Sequence, residues 1–269
     1  LGVKKGKVKK LMSNTEQKQP KFSVVIQQEN YQKLINDTLG DKETAKRFVA
    51  EITSVVANNY TLQKCTSNTI IAGGLLAQSL KLPLAASLGF CALVPYKNGD
   101  YTNAQFQIMW KGLIQLAQRT GLYETIGVRP VHKGEYAGQN EFGEDEFKFS
   151  HEYDLEEVVG YFAYFKLTNG FKKTLYWTKE QCEAHGHKYS KCYNAQWGSN
   201  FDAMASKTVL KQLISKYGPM SVDIQKAVQY DQAIVNDDGS ANYVDNPSNE
   251  LEELNATNNA IEESEPDIE

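Results

Sequence analysis

The chain has 269 residues, 41% hydrophobic and 23% charged, with 19 Gly, 7 Pro and 4 Cys. This globular composition leaves room for one large domain or two small ones. It excludes a membrane-spanning helix, since the longest apolar run, residues 70–77, is far below the roughly 20 residues required. A formal charge of −4 argues at first sight against a nucleic-acid partner.

In chain order, residues 1–22 are polar, Lys-rich and aperiodic, and read as a flexible basic arm in which Met12 offers an alternative start. No apolar stretch follows those lysines as a secretion signal would have. Helical periodicity predicts helices over residues 27–39 and 41–58, the second capped by Asp41 after Gly40, and a third over 69–80 capped by Thr66 or Ser67. Strand-like residues 88–96 and 103–109 flank Asn98-Gly99, a hairpin turn dipeptide. A helix over 110–119 ends at Gly121. Residues 124–132 read as a strand, and residues 135–157 as an acidic segment with nine acids against one Lys and a strand at 147–153. A second hairpin, 158–166 and 171–177, turns at Asn169-Gly170. Helices follow over 178–188, 199–217 and 222–231. From Ala233 the chain is acidic, with scattered apolar residues, and reads as a disordered tail.

This order predicts an α+β fold: helices packed around a small, mostly antiparallel sheet built from the two hairpins. The expected organisation is a basic arm (1–22), a core (23–232) and an acidic tail (233–269). Four Cys make no disulfide scaffold and suit a reducing cytoplasm. No Walker A or G-x-G-x-x-G pattern suggests a nucleotide cofactor.

The net charge conceals an asymmetry. Residues 1–21 hold seven Lys and one Glu, whereas 222–269 hold one Lys and 13 acids. The intervening body carries 21 basic and 19 acidic residues, and its acids concentrate in 135–157. Screening over about 8 Å in physiological salt lets a local basic surface act despite acids elsewhere.

Two basic stripes follow from helical geometry. Lys111, Gln115 and Arg119 lie at i, i+4 and i+8, within about 80° of one helix face. Lys207, Lys211 and Ser215 repeat the pattern opposite Leu210, Leu213 and Ile214. Both stripes suit a phosphate track as well as they suit ordinary solvated faces. Tyr96, Tyr101, Phe106 and Trp110 supply flat rings beside the first stripe, of the kind that stack on unpaired bases, and Trp197 does so near the second. Two other constellations are weaker. Cys182, His185, His187 and Cys192 have zinc-like spacing without a second CxxC pair. Asp145, Glu146 and Lys148 have the acid-x-Lys pattern of metal-dependent nucleases.

Several segments resemble the RecT family of phage-type single-strand annealing proteins. They are TSNTIIAGGLLAQSLKL (66–82) followed by LGFCALVPY (88–96), AQFQIMWKGLIQLAQRTG (104–121), and NFDAMASKTVLKQLISKYGPMSVDIQKAV (200–228). The resemblance covers roughly residues 30–231. It implies ATP-independent binding of single-stranded DNA, annealing to duplex in recombination and repair, and homo-oligomeric rings or helical filaments with DNA in a basic groove. It further implies a phage or prophage recombinase in the bacterial cytoplasm. Its expected partners are a 5′-to-3′ exonuclease and the host single-strand-binding protein. No hydrolytic activity and no cofactor are implied, beyond Mg2+ as an aid to annealing. Lys111, Arg119, Lys207 and Lys211 match family basic positions and are expected to hold phosphates; Gln107 and Gln115 are expected to add hydrogen bonds, and Trp110 to stack. The family tends to have Gly where Met109 stands and often further basic residues at Gln212 and Ser215. The acidic tail is expected to compete with DNA, to dock a basic partner, or simply to solubilise the chain. The alternative reading is a metal-dependent DNA nuclease built on Asp145, Glu146 and Lys148.

Overall fold

The computed structural model describes residues 20–85, 87–98, 101–149, 157–191, 193–236 and 238–243. The chain enters the core at α1 (Phe22–Val25), where Phe22 and Val25 are already buried, so packing begins inside the stretch expected to be a free arm. Helix α2 (Glu29–Leu39) stops at Gly40, whose φ of 68° is the left-handed conformation that glycine adopts without strain. Helix α3 (Lys42–Ala57) starts where Asp41 accepts hydrogen bonds from the Glu43 and Thr44 amides. Its Phe48, Ile52 and Val56, spaced by four, face the core.

A 3₁₀ turn (Leu62–Lys64) leads to α4 (Ser67–Ser79), which is buried on nearly every side. Thr66 sits at its N-cap but does not cap it with its side chain. Its hydroxyl donates to Asn103 at 2.7 Å, and its amide donates to the Thr102 carbonyl at 2.8 Å. The helix start is thereby stitched to the first hairpin, β1 (Cys91–Asn98) with β2 (Tyr101–Ile108), paired from Cys91–Ile108 to Asn98–Tyr101. Helix α5 (Trp110–Arg119) follows at once. A Cβ at its Gly112 would run into the Phe90 carbonyl, so only glycine lets the helix lie this close to the chain entering β1.

Strand β3 (Tyr123–His132) is followed by a short hairpin, β4 (Tyr136–Gln139) with β5 (Asp145–Phe147). The acidic segment therefore holds a hairpin, and its strand ends at Phe147 rather than beginning there. The remainder of the expected strand reaches into residues 150–156, outside the described ones. Then come β6 (Val158–Leu167), β7 (Lys172–Thr178) and α6 (Lys179–Tyr189). Thr178 and Gln181 start α6 with a reciprocal capping box. Helices α7 (Tyr193–Gln196), α8 (Phe201–Tyr217) and α9 (Val222–Gln229) lead to a final hairpin, β8 (Ala233–Val235) with β9 (Ala241–Tyr243).

The fold is α+β. The two expected hairpins lie in separate sheets, because each finds its own third strand. Strands run β1-β2-β8-β9 in one sheet and β3-β6-β7 in another, with β4-β5 apart. Among the described residues every strand pairing is antiparallel, apart from an isolated parallel bridge between Cys65 and Thr102. Helix α8 runs through the middle, packed on β3, β6, β7, α5 and α6, with every residue from Met204 to Ile214 buried. Tyr161 of β6 anchors its first turn by donating a hydrogen bond to Asp202.

The ordered chain also passes the boundary expected at residue 233. Composition marked everything from there as tail, yet Ala233, Ile234 and Val235 are buried, and Ala233 pairs with Phe106 of β2. Three consecutive apolar residues are enough to extend a sheet when a strand edge is open to them. Residues 1–19 and 244–269, most of the expected arm and tail, lie outside the described residues.

Candidate nucleic-acid interface

On α5, Gly112, Leu113, Leu116 and Ala117 are buried, so the opposite face carries the basic stripe to the surface. Lys111 is exposed, with its ammonium 5.5 Å from the centre of the half-buried Trp110 ring. Gln115 is half-buried. Arg119 is exposed and already engaged: Nη1 donates to the Leu80 carbonyl at 2.7 Å and Nη2 to the Lys81 carbonyl at 2.8 Å. It satisfies carbonyls that the end of α4 leaves open, while its charge stays near the surface.

The α8 stripe differs from both sequence readings of it, a solvated face or an open phosphate track. Lys207 is 2% exposed and Lys211 9%. Lys207 Nζ lies 2.8 Å from Asp231 Oδ1, and Lys211 Nζ lies 3.5 Å from Oδ2, an ionic contact rather than a well-formed hydrogen bond. Asp231 Oδ1 also accepts from the Ile108 amide at 3.2 Å. The physical reason is the C-terminal segment. It closes over the polar side of α8 together with α6 and Trp197 and brings a carboxylate with it, and ammonium groups tolerate burial only beside such a counter-charge. The sequence holds one signal for this: Asp231 stands as a lone acid between Val228 and the apolar Ala233-Ile234-Val235, and an acid in such a setting is usually paired.

Gln107 belongs to the same cluster. It is buried on β2 and donates to Gln105 Oε1 at 3.2 Å. Gln105, which the stripe reasoning missed, donates in turn to the Gln232 carbonyl, and the Gln232 amide donates to Phe106 O at 2.8 Å. Gln232 holds φ at 64°, unusual for a residue with a side chain. The cleft in front of the lysines is walled by His185, Tyr189, Trp197, Met204 and Gln232, and its volume is about 20 Å3, room for about one water.

The seven expected site residues thus fall into two groups. Trp110, Lys111, Gln115 and Arg119 ride on α5. Gln107, Lys207 and Lys211 converge around Asp231 and Gln232. The two groups adjoin because α5 and α8 pack against each other and Ile108 leads directly into α5. Of the candidate stacking rings, Tyr101 is exposed, while Phe106 and Trp197 are buried; Trp197 meets the Phe201 ring edge-on at 5.5 Å.

The weaker constellations look different in space. Asp145 accepts from the Tyr136 hydroxyl at 3.1 Å and from Gln139 Nε2 at 3.2 Å. Glu146, next to it on β5, projects from the opposite face of the strand. Among the described residues no three His, Cys, Asp or Glu gather in a way that would hold a metal ion. Cys182 is buried, which pushes its thiol up to about 12. His185 packs 4.6 Å from the Tyr189 ring, and His187 stacks on Tyr193 at 3.6 Å. Cys192 lies outside the described residues.

Comparison with known proteins agrees with the motifs. The sequence model of the RecT family matches residues 46–245, a span that includes α5, α8, Asp231 and the final hairpin. The chain is 41% identical over 228 residues to the uncharacterized protein YqaK of Bacillus subtilis (strain 168), covering 82% of this chain and 78% of that protein. It is 29% identical over 196 residues to protein RecT of Escherichia coli (strain K12), covering 70% and 72% respectively. On a family match over most of its length, the chain belongs to the RecT family.

Proposed function

We propose that this protein binds single-stranded DNA and anneals complementary strands in homologous recombination, with no nucleoside triphosphate and no cofactor beyond Mg2+ as screening ion. The observation that carries this reading is the family match over residues 46–245, which contains both basic stripes. In this reading Lys111, Arg119, Lys207 and Lys211 hold phosphates, Gln107 and Gln115 add hydrogen bonds to the backbone, and Trp110 stacks on a base. Phosphate contacts supply affinity without sequence information, which suits a protein that must accept any strand. Bases left facing outward are then tested for pairing, and mismatched strands dissociate for want of stacking.

The same reading makes the working form a homo-oligomeric ring or filament, in which linked subunits keep a strand extended and raise the effective concentration of the next pairs. It places the protein in the cytoplasm of a bacterial host, as a phage or prophage recombinase. There it works beside a 5′-to-3′ exonuclease that exposes the strand and meets the host single-strand-binding protein. The arm, which ends before Phe22, and the tail (244 onward) flank a core that runs from Phe22 to Tyr243.

Mixing the protein with two complementary labelled oligonucleotides, without ATP, is expected to speed their pairing and leave both intact. Chelator-sensitive cleavage would favour the nuclease reading built on Asp145, Glu146 and Lys148. Exchanging Lys111 for Ala is expected to weaken binding of an oligothymidine and to lower the slope of log affinity against log salt by about 0.7, the value of one single-strand phosphate contact. The double exchange Lys111→Ala with Lys211→Gln should lower it by about twice that. Affinities and slopes equal to those of the unaltered protein would remove the stripes from the interface.

A further inference from the structure

The two α8 lysines cannot meet a DNA strand as the chain is folded here. The cleft in front of them has a volume of about 20 Å3, and the Asp231 carboxylate already lies against both ammonium groups. We propose that the C-terminal segment from Asp231 to Tyr243 is a displaceable strap, and that Asp231 stands where a phosphate of single-stranded DNA binds. On loading, one anion replaces another: the Lys207 and Lys211 ammonium groups pass from the carboxylate to a phosphodiester, and the strap lifts from β2. The proposal rests on the reading of the α8 stripe as part of a single-strand interface.

Four observations carry it beyond an ordinary buried ion pair. First, the strap is tied to the polar residues assigned to the interface. Gln105, bonded to Gln107, holds the Gln232 carbonyl, and Asp231 holds both lysines. Lifting the strap releases all of these from it together.

Second, the strap is a unit. β8 and β9 pair with each other at three positions, Ala233–Tyr243, Ile234–Asn242 and Val235–Ala241. It joins β2 through one ladder pair, Phe106–Ala233. Detaching it therefore breaks little sheet while keeping the hairpin whole.

Third, the strap carries backbone strain. Gln232, between the carboxylate and the hairpin, holds a left-handed φ of 64° that a residue with a Cβ adopts only under constraint. Release from Phe106 O lets it relax. Tyr243 Oη donates to Gln229 O at 2.5 Å and Tyr230 Oη to Gly239 O at 3.2 Å, so opening must also break these two bonds or carry the end of α9 along.

Fourth, the anion fits chemically. A carboxylate taking an ammonium hydrogen bond and a backbone amide on one oxygen, with a second ammonium near the other, makes the contacts a phosphodiester makes with its two unesterified oxygens. Burial of Ala233, Ile234 and Val235 opposes the opening. The strap is therefore closed in the absence of DNA and opens only for a ligand that returns more than it displaces.

Hydrogen exchange on the unaltered, full-length protein tests this directly. The Gln232 amide, bonded to Phe106 O, is expected to exchange slowly in the free protein. With saturating oligothymidine it is expected to lose protection together with the Ala233 amide, while amides of β6 do not. In parallel, Asp231→Asn keeps the shape and removes the competing charge. It is expected to bind oligothymidine at least about fivefold more tightly at fixed salt, the lower end of ordinary coupling between two ligands. A protein that binds the oligonucleotide with Gln232 and Ala233 still protected overturns the strap and leaves the annealing function standing. So does an Asp231→Asn variant that folds and binds no more tightly. A protein that binds no single strand at all overturns the function and the strap with it.

Discussion

At the residue scale, burial fixes the chemistry of several ionisable groups. Desolvation pushes the thiols of Cys65, Cys91 and Cys182 from about 9 up to about 12, and the Tyr123 phenol from about 10 up to about 12. The neutral form is the one that fits: Cys91 Sγ lies 3.6 Å from the Pro83 carbonyl, and Tyr123 Oη donates to the Pro219 carbonyl at 2.9 Å. Because the folded chain holds these protons more tightly than the unfolded chain, their contribution to stability is complete below about pH 9. It is lost as pH climbs from about 9 to about 12. The urea midpoint is therefore expected to fall steadily above pH 9, and iodoacetamide at pH 8.5 is expected to label these thiols only as fast as the protein unfolds. A midpoint that stays flat to pH 11, or thiols labelled at the rate of a free cysteine, would contradict this. Asp231 shows the limit of reading residues from periodicity. Spacing found Lys207 and Lys211 on one helix side, but the group they face comes from 20 or more residues later, and helical periodicity carries no information about that distance.

At the element scale, the signals that place an element are local. Gly40 and Asp41 between α2 and α3, Gly121 after α5 and Thr178 before α6 act within a few bonds, and these helix boundaries were legible to within a residue or two. The β4–β5 hairpin was not, because its strands have four and three residues and its acids dominate the composition. What holds it is tertiary. The Phe147 ring lies 4.4 Å from Phe162, 5.4 Å from Tyr176, 5.3 Å from Phe149 and 5.6 Å from Tyr136, while Tyr136 stacks on Tyr176 at 5.0 Å. Arg129 adds its guanidinium 3.9 Å over the Phe149 ring and reaches Glu135 at 3.5 Å. The hairpin is an aromatic clip on the outer face of the β3-β6-β7 sheet. Phe147→Ala is expected to cost roughly 1–3 kcal/mol, less than a fully buried Phe because the ring is half-exposed. It should also make residues 140–144 the first site cut in limited proteolysis. Cleavage there at the unaltered rate would mean that the clip is held by something else. Strands β8 and β9 escaped notice for the same reason: three apolar residues do not announce a strand until β2 offers them an edge.

At the scale of the whole molecule, charge decides how strongly the protein meets a polyanion. The chain carries −4 in total, yet residues 244–269 alone contribute nine acids and no base. They follow directly on Tyr243, the last residue of the proposed strap, whose first residue, Asp231, already occupies the lysines of α8. An acidic segment in that position is expected to act on DNA binding in two ways. It would repel the incoming strand over about a Debye length, and its carboxylates would compete with phosphates for Lys111 and Arg119. Both effects are electrostatic, so both are screened. Removing residues 244–269 while keeping β9 turns a chain of charge −4 into one of +5 and retains every described residue. The shortened protein is expected to bind oligothymidine more tightly at about 50 mM salt, and the advantage should shrink toward nothing as salt rises past about 300 mM, where screening acts over only a few ångströms. Binding curves that coincide at low salt would show that the tail neither repels nor competes. An advantage that persists unchanged at high salt would point to steric cover of the interface rather than charge.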